Sequence, residues 1–237
     1  MADKWQLFVE QFVTYGGYRT VLDGLYATII IAVGGLLIGI VIGMLIAMTK
    51  VVPKYSAFVK TLSRISDVYV GFFRGTPMVV QLLLVYYVLL PAMGVRIDSA
   101  VVVAVIVFGL NSGAYVSEIM RSGINSVDQG QLEAGRALGL SYPTAMLRIV
   151  IPQAIKNIIP TLGNEFIVLV KETSVTSFIT VVDLTKAFRG IASANYEYII
   201  PYLMLAAFYL VIVIIITILI RFIERRFAKS DRRVASK

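Results

Sequence analysis

Hydrophobic residues in this sequence occur in long blocks that no charged side chain interrupts. Four such blocks cover residues 24–49, 75–95, 99–117 and 198–220, each close to the roughly 20 residues that a helix needs to cross the hydrocarbon of a membrane. A fifth stretch, 151–182, is as long but contains charged residues. The blocks lack the alternation of short barrel strands. The pattern therefore predicts an all-α membrane protein, because helices satisfy their own backbone groups in lipid.

The positions of the charges predict how the chain crosses the membrane. Of the 237 residues, 58% are hydrophobic and 15% are charged, and the mean hydropathy is +0.84. Lysine and arginine gather after the first block, at residues 121–156 and in the tail 221–237. Basic segments stay on the cytoplasmic side, which predicts five transmembrane helices with the N-terminus outside and the C-terminus cytoplasmic. These segments account for the net charge of +8, so we expect contact with the lipid bilayer and not with nucleic acid.

The expected architecture is a single transmembrane domain over residues 1–237, with a cytoplasmic loop at about 121–155. Residues 1–20 predict an amphipathic segment at the outer interface, with a poorly ordered leader as the alternative. Without cysteine or histidine the chain lacks disulfides and the commonest metal ligand, so we expect no metal site. The predicted spans are at about residues 22–49, 56–91, 98–120, 156–182 and 198–221.

Two local patterns predict how the first spans pack and bend. Gly35, Gly39 and Gly43 recur at every fourth position of the first span, which favours the close approach of another helix. In the second span Pro77 disfavours helical geometry at the residue before it, so we expect a kink there. Arg74 beside the kink is expected either to hold an anion or a backbone carbonyl, or to snorkel or pair with the Asp67 carboxylate.

Polar side chains inside the third and fourth spans mark faces that should avoid lipid. Asn111, Tyr115 and Glu118 share one face of the third span by their spacing. In the fourth span, Glu165, Lys171 and Glu172 each cost roughly 2.5 to 3.5 kcal/mol to insert, so we expect them to face water or a partner. The structural alternative is an internal pair between Lys171 and a glutamate that only locks helices together.

The polar segment between these spans predicts an elbow of two helices. Asp128 is a favourable N-cap, and a helix that starts there should end at Gly139. Ser141 should cap a second helix that runs to Pro152.

This segment resembles the EAA motif of ABC importer permeases, which reads EAA, three residues, G, nine residues, I, any residue, LP. Glycine replaces the second alanine and isoleucine the leucine, and the spacing is kept throughout. The matching residues are Glu133, Ala134, Gly135, Gly139, Ile149, Ile151 and Pro152. Segments 72–87, 109–134 and 162–179 are similar to the polar-amino-acid subgroup, the histidine-, glutamine- and arginine-type permeases.

The resemblance implies a type I importer permease fold with a cytoplasmic coupling helix, in the cytoplasmic membrane of a bacterium. It also implies a second permease subunit, identical or homologous, two cytoplasmic ATPase subunits and an extracytoplasmic solute-binding protein. The chain contains no G-x-x-x-x-G-K-[ST] phosphate loop, so ATP and Mg²⁺ are expected on the partner ATPase and no catalytic residue or cofactor on this chain.

The candidate substrate pathway follows from the chemistry of a zwitterionic amino acid, which needs an anionic and a cationic partner. The pathway candidates are Arg74, Thr76, Asn111, Glu165, Lys171, Glu172, Thr173 and Ser174.

There are two alternatives to an importer permease. The first is a stand-alone secondary amino-acid transporter or channel, but the chain lacks two hydropathy-related halves. The second is an intramembrane enzyme, but the chain offers no pair of nucleophile and base.

Overall fold

The computed structural model describes residues 2–51 and 56–235, and all of the regular elements in these ranges are helices. Lys54 of the first basic loop and most side chains of the basic tail lie outside the described residues. The helices are α1 Ala2–Val9, α2 Gly17–Val51, α3 Ala57–Gly75, α4 Met78–Leu83, α5 Leu90–Ala92, α6 Ala100–Asn125, α7 Gln129–Ala137, α8 Tyr142–Ala145, α9 Ile151–Glu172, α10 Leu184–Asn195 and α11 Ile199–Ala235. The π-helical turns Glu10–Thr14, Leu84–Leu89 and Met146–Val150 and the 3₁₀ helix Thr173–Ile179 continue them.

Helix length and apolarity support several membrane spans. Gly17–Val51, Ala100–Asn125 and Ile199–Arg226 are each long and apolar enough to cross a membrane. Ala57–Gly75 and Met78–Ala92 meet the same criterion as a pair but are bent by 107° at their junction. The all-helical membrane fold is therefore supported with three or four candidate spans, whereas the number five and the orientation of the termini stay predictions.

The predicted glycine groove on α2 is the contact surface for α6. A methyl group on Gly35, Gly39 or Gly43 would lie only 2.7 to 2.8 Å from a side chain of α6. The α6 side chains in these three positions are Phe108, Ser112 and Val116. Gly109 and Gly113 of α6 receive Ile38 and Ile42 of α2 in return. Small residues on both helices thus let the two backbones approach closely.

Helix α9 runs antiparallel beside α6. At one end the side-chain amide of Asn157 donates to the Ser126 hydroxyl over 2.9 Å, and further along the pair the Ser112 hydroxyl donates to Glu165 over 3.0 Å. Phe108 and Val170 are fully buried in the hydrophobic core that these helices share. The packing fixes which faces of α6 and α9 meet.

The N-terminal segment and the connection before the last helix pack together. Buried Phe8 of α1 packs in one cluster with Phe188 of α10, which argues against the poorly ordered leader. Asp183 caps α10 by accepting from the backbone N–H groups of the next turn. The Lys4 ammonium lies 2.8 Å from Glu197, and its hydrogen bond lowers the pKa of that carboxyl. The predicted outer connection, 183–196, is therefore mostly an ordered helix.

The predicted end of the second elbow helix at Pro152 is wrong. Helix α8 continues through the π-helical turn into α9 and reaches Glu172. A proline lacks the backbone donor and clashes with the carbonyl of the preceding turn. The wider hydrogen-bond ladder of the π turn Met146–Val150 lies where that clash would occur and accommodates Pro152. The π turn Leu84–Leu89 precedes Pro91 in the same way.

Candidate functional site

The predicted kink in the second span is confirmed as a complete helix break. Helix α3 ends at Gly75, and Thr76 and Pro77 have extended backbone angles before α4 begins. The side chain of buried Gln81 reaches back over the break. Its Nε2 donates to the carbonyl of Phe73 over 2.9 Å and to the carbonyl and hydroxyl of Thr76 over 3.0 and 2.8 Å. Gln81 therefore satisfies carbonyls that the end of a helix leaves without partners.

Asn111 of α6 holds the same break from the neighbouring helix. Its Nδ2 donates to Oε1 of Gln81 over 2.9 Å and to the carbonyl of Phe73 over 3.3 Å. The helical spacing of Asn111 marks it as a candidate, whereas no spacing pattern selects Gln81. The available signal was a single amide in an apolar block, where a buried polar group needs hydrogen-bond partners.

A cavity of about 560 Å³ lies beside the break, between the α3–α4 junction, α6 and α9. It brings together five of the eight candidate pathway residues, and Tyr115 joins them. The five are Arg74, Thr76, Asn111, Glu165 and Glu172. The other three do not line it: Lys171 is exposed, Thr173 is buried and donates its hydroxyl to the Val170 carbonyl, and Ser174 is partly exposed.

The two carboxylates of the cavity differ in their surroundings. Glu165 is buried, and its Oε1 accepts the hydrogen bond from Ser112. Glu172 is exposed at the cavity wall. Among the described side chains no carboxylate forms an ion pair with Lys171, so the structure gives no support to Lys171 as half of a helix-locking pair. Lys171 lies about 100° around the helix from buried Val170 on one side and from Glu172 at the cavity on the other, so it faces neither the core nor the cavity.

Arg74 lies at the mouth of the cavity and connects α3 with α6. Its Nη1 is 4.0 Å from Oε2 of Glu118, and its guanidinium lies over the Tyr115 ring at 5.6 Å from the centroid. The alternative pairing with Asp67 is wrong, because Asp67 is about 10 Å away along the helix axis and instead contacts Lys50. The Glu118 carboxylate also accepts from Arg121 over 2.6 Å.

The polar elbow has the capped geometry that the sequence predicted at its start and turn. Asp128 accepts from the Gly130 N–H over 2.6 Å, and Gly139 has a φ of +82°. Ser141 caps the next helix by accepting from the Thr144 N–H. Gly139 thus supplies the left-handed residue that follows many helices.

The two ends of the EAA-like segment contact each other. Buried Gly135 faces Ile149, and a methyl group on Gly135 would lie 2.7 Å from the Cδ1 atom of Ile149. Glu133, Ala134 and Pro152 are exposed. The EAA-like segment therefore folds back on itself, and part of its surface stays exposed.

Residues 35–229 match the family model of the binding-protein-dependent transport system inner membrane component. The chain belongs to this family. The resemblance inferred from the EAA-like segment is thereby confirmed, and the permease is a membrane component of a transport system rather than an enzyme. Its multi-pass location in the inner membrane agrees with the apolar helices.

Curated relatives match the permease over most of its length. It is 38% identical to the arginine transport system permease protein ArtQ of Bacillus subtilis (strain 168), covering 89% of this chain and 94% of ArtQ. It is 37% identical to the putative glutamine transport system permease protein GlnP of Rickettsia bellii (strain RML369-C), with the same two coverages. The L-cystine transport system permease protein TcyB of Bacillus subtilis (strain 168) is 36% identical over 99% of this chain and 94% of TcyB.

Solved structures show the same fold. A chain in the crystal structure of an amino acid ABC transporter with histidines superposes with a TM-score of 0.82 at 40% identity, covering 91% of the permease and 97% of that chain. A chain of the MetNI methionine ABC transporter in an inward-facing conformation has a TM-score of 0.64 at 18% identity, with coverages of 89% and 95%. The second likeness concerns the fold alone.

Proposed function

We propose that this permease forms the translocation pathway for polar or charged amino acids in an ABC importer, and that the cavity at the helix break is its substrate site. The observation that carries the proposal is that buried Glu165 lines the same cavity as Arg74. A carboxylate and a guanidinium in one cavity can bind the ammonium and the carboxylate of an amino acid. The named substrates of the relatives, arginine, glutamine and cystine, and the histidines of the solved neighbour fit this class.

Each candidate residue has a role in the proposed site. Glu165 and Glu172 attract the substrate ammonium, and Arg74 receives its carboxylate. Thr76 and Asn111 shape the wall, since both take part in the hydrogen bonds across the break. Lys171, Thr173 and Ser174 lie outside the cavity lining, so we propose that they do not contact substrate.

The proposed assembly is the one that the family implies. Five spans place the N-terminus outside and the EAA-like segment and C-terminus in the cytoplasm. A second permease completes the pathway, two ATPase subunits bind ATP and Mg²⁺, and an extracytoplasmic binding protein delivers the substrate. The exposed side of Glu133 and Ala134 would contact the ATPase, and closure of the ATPase would move α7 against α8, the helix that Ser141 caps.

The site is tested by uptake of labelled amino acids into proteoliposomes that contain the complete importer. Glu165→Gln should reduce uptake about 10- to 100-fold, because hydrogen bonds to charged groups are worth about 1.5 to 3 kcal/mol. Lys171→Gln is the matched control, since it changes a charge on the same helix outside the cavity, and it should transport normally. Normal uptake by the Glu165→Gln importer would refute the site.

The coupling role is tested with Glu133→Ala in the same importer. We expect substrate uptake and substrate-stimulated ATP hydrolysis to fall together while the ATPase still co-purifies with the permease. Uptake by the permease in the absence of any ATPase would instead support the stand-alone transporter and overturn the proposed function.

A further inference from the structure

A second cavity continues the proposed substrate site along the same two helices. It has a volume of about 450 Å³ and lies between α6 and α9 on the side of the polar elbow. Its wall includes Glu118 and Ser122 of α6, Ser126 just after that helix, and Asn157 and Thr161 of α9. The first cavity uses residues of the same two helices farther from the elbow.

The helical period places both cavities in one groove. Residues 111, 115, 118 and 122 of α6, and residue 126 just after it, are spaced by three or four positions and fall within about 80° of one another around the axis. On α9, residues 157, 161, 165, 168 and 172 do the same. Because the two helices are antiparallel, these faces run side by side and the two cavities follow one another along a shared groove.

The guanidinium of Arg74 lies between the two cavities. It approaches Glu118, which lines the second cavity, and covers Tyr115, which lines the first. A carboxylate together with an aromatic ring is a general cation site. Arg74 therefore lies where the linings of the two cavities meet, in contact with one residue of each.

The contact is built so that it can be released. Glu118 is held by Arg121 of its own helix at 2.6 Å, whereas Arg74 stands at 4.0 Å, the longer of the two ion pairs. The side chains of Arg74 and Glu118 are 47% and 29% exposed, so water and solutes in the groove reach the pair. Loss of Arg74 would leave Glu118 with a partner, which lowers the cost of the change.

We propose that Arg74 is a displaceable barrier that closes the groove between the two cavities, and that the carboxylate of a bound amino acid draws it away from Glu118 and Tyr115. The proposal rests on the proposed function, because it assigns the substrate carboxylate as the competing anion. When the substrate carboxylate binds the Arg74 guanidinium, the groove opens toward the polar elbow and the substrate ammonium can contact Glu118. No covalent step is involved.

The test measures passive passage through the complete importer. Proteoliposomes are loaded with a labelled amino acid that the wild-type importer takes up, and its efflux is followed without ATP. Arg74→Gln and Glu118→Gln should each raise this efflux on the order of tenfold, since each removes an ion pair and disturbs the cation–π contact that close the groove. Arg121→Gln removes the neighbouring ion pair but leaves Arg74 in place, and it should not raise the efflux.

Two further measurements keep the test decisive. Arg74→Lys keeps a cation near Glu118 and should retain low efflux. If either single variant fails to assemble, the double exchange of Arg74→Glu with Glu118→Arg restores the ion pair with reversed charges. A decarboxylated amine analogue of the substrate should not leave through the wild-type importer faster than a neutral solute. Unchanged efflux in Arg74→Gln and Glu118→Gln would overturn the barrier, whereas absent uptake by the wild type would overturn the proposed function itself.

Discussion

The hydroxyl of Ser112 on α6 donates a hydrogen bond of 3.0 Å to Oε1 of Glu165 on α9, and both side chains are buried. Gly39 of α2 lies directly behind Ser112, where a methyl group would be 2.7 Å from the serine hydroxyl. One serine therefore connects the glycine-lined contact between α2 and α6 with the carboxylate of the proposed substrate site. Changes on either side of Ser112 should have separable effects.

Removing the Ser112 hydroxyl should weaken substrate binding more than it lowers the stability of the fold. In Ser112→Ala the Glu165 carboxylate keeps its position but loses a charge-assisted hydrogen bond, which costs about 1.5 to 3 kcal/mol. We expect the KM for uptake to rise at least about tenfold. Ser117→Ala is the matched control, because Ser117 is equally buried on α6 but bonds only to the Ala114 carbonyl of its own helix. Equal KM values in the two variants would argue against a role for Ser112.

A methyl group in the glycine groove should destabilise the permease. In Gly39→Ala the new carbon would approach the backbone as well as the side chain of Ser112, at 3.1 Å from its carbonyl carbon, so a whole helix must shift. Overpacking of this kind costs about 1 to 3 kcal/mol. Gly71→Ala is the control, since nothing lies within 4 Å of that position in α3 and alanine favours a helix. The thermal midpoint of the detergent-solubilised protein should fall only for Gly39→Ala.

Some of these relationships follow from the sequence and others depend on which helices become neighbours. The spacing of Gly39 and Gly43 predicts the close packing of another helix, and Pro77 predicts the break, because both act through the local backbone. The bonds from Asn111 to Gln81 and from Ser112 to Glu165 depend on tertiary contacts that no local pattern specifies. The charge of Lys171 near the bilayer interior makes it a substrate candidate, but its side chain does not line the cavity. A step of about 100° around α9 separates it from Glu172, which does.

The amide of Gln81 should keep the break between α3 and α4 in one conformation. Gln81→Leu removes the side-chain donor to the Thr76 carbonyl and leaves the Phe73 carbonyl with the amide of Asn111. An unsatisfied buried group costs about 1 to 3 kcal/mol. Spin labels on exposed Ile65 and Val88 would report the bend, and the absence of cysteine in the chain makes such labelling specific. We expect a broader distance distribution than in the wild type. Gln6→Leu, at an exposed glutamine of α1, should leave it unchanged.

The turn at Gly139 offers a test of coupling in which only the backbone changes. Gly139 has a φ of +82°, and nothing lies within 4 Å of the position that a side chain would occupy. Substitutions there therefore differ in their tolerance of the left-handed conformation, which costs ordinary residues about 1 to 2 kcal/mol. Asparagine adopts it more readily than alanine, and valine least of all.

Substrate-stimulated ATP hydrolysis of the complete importer should follow the same order at this position. We expect it to fall from Gly139 through Gly139→Asn and Gly139→Ala to Gly139→Val, while co-purification of the ATPase is retained. The order arises because α7 ends just before this turn and Ser141 caps the next helix just after it, so strain in the turn changes how the two helices meet. If Gly139→Val stimulated hydrolysis as well as Gly139→Asn, the geometry of the elbow would not transmit the movement of the ATPase.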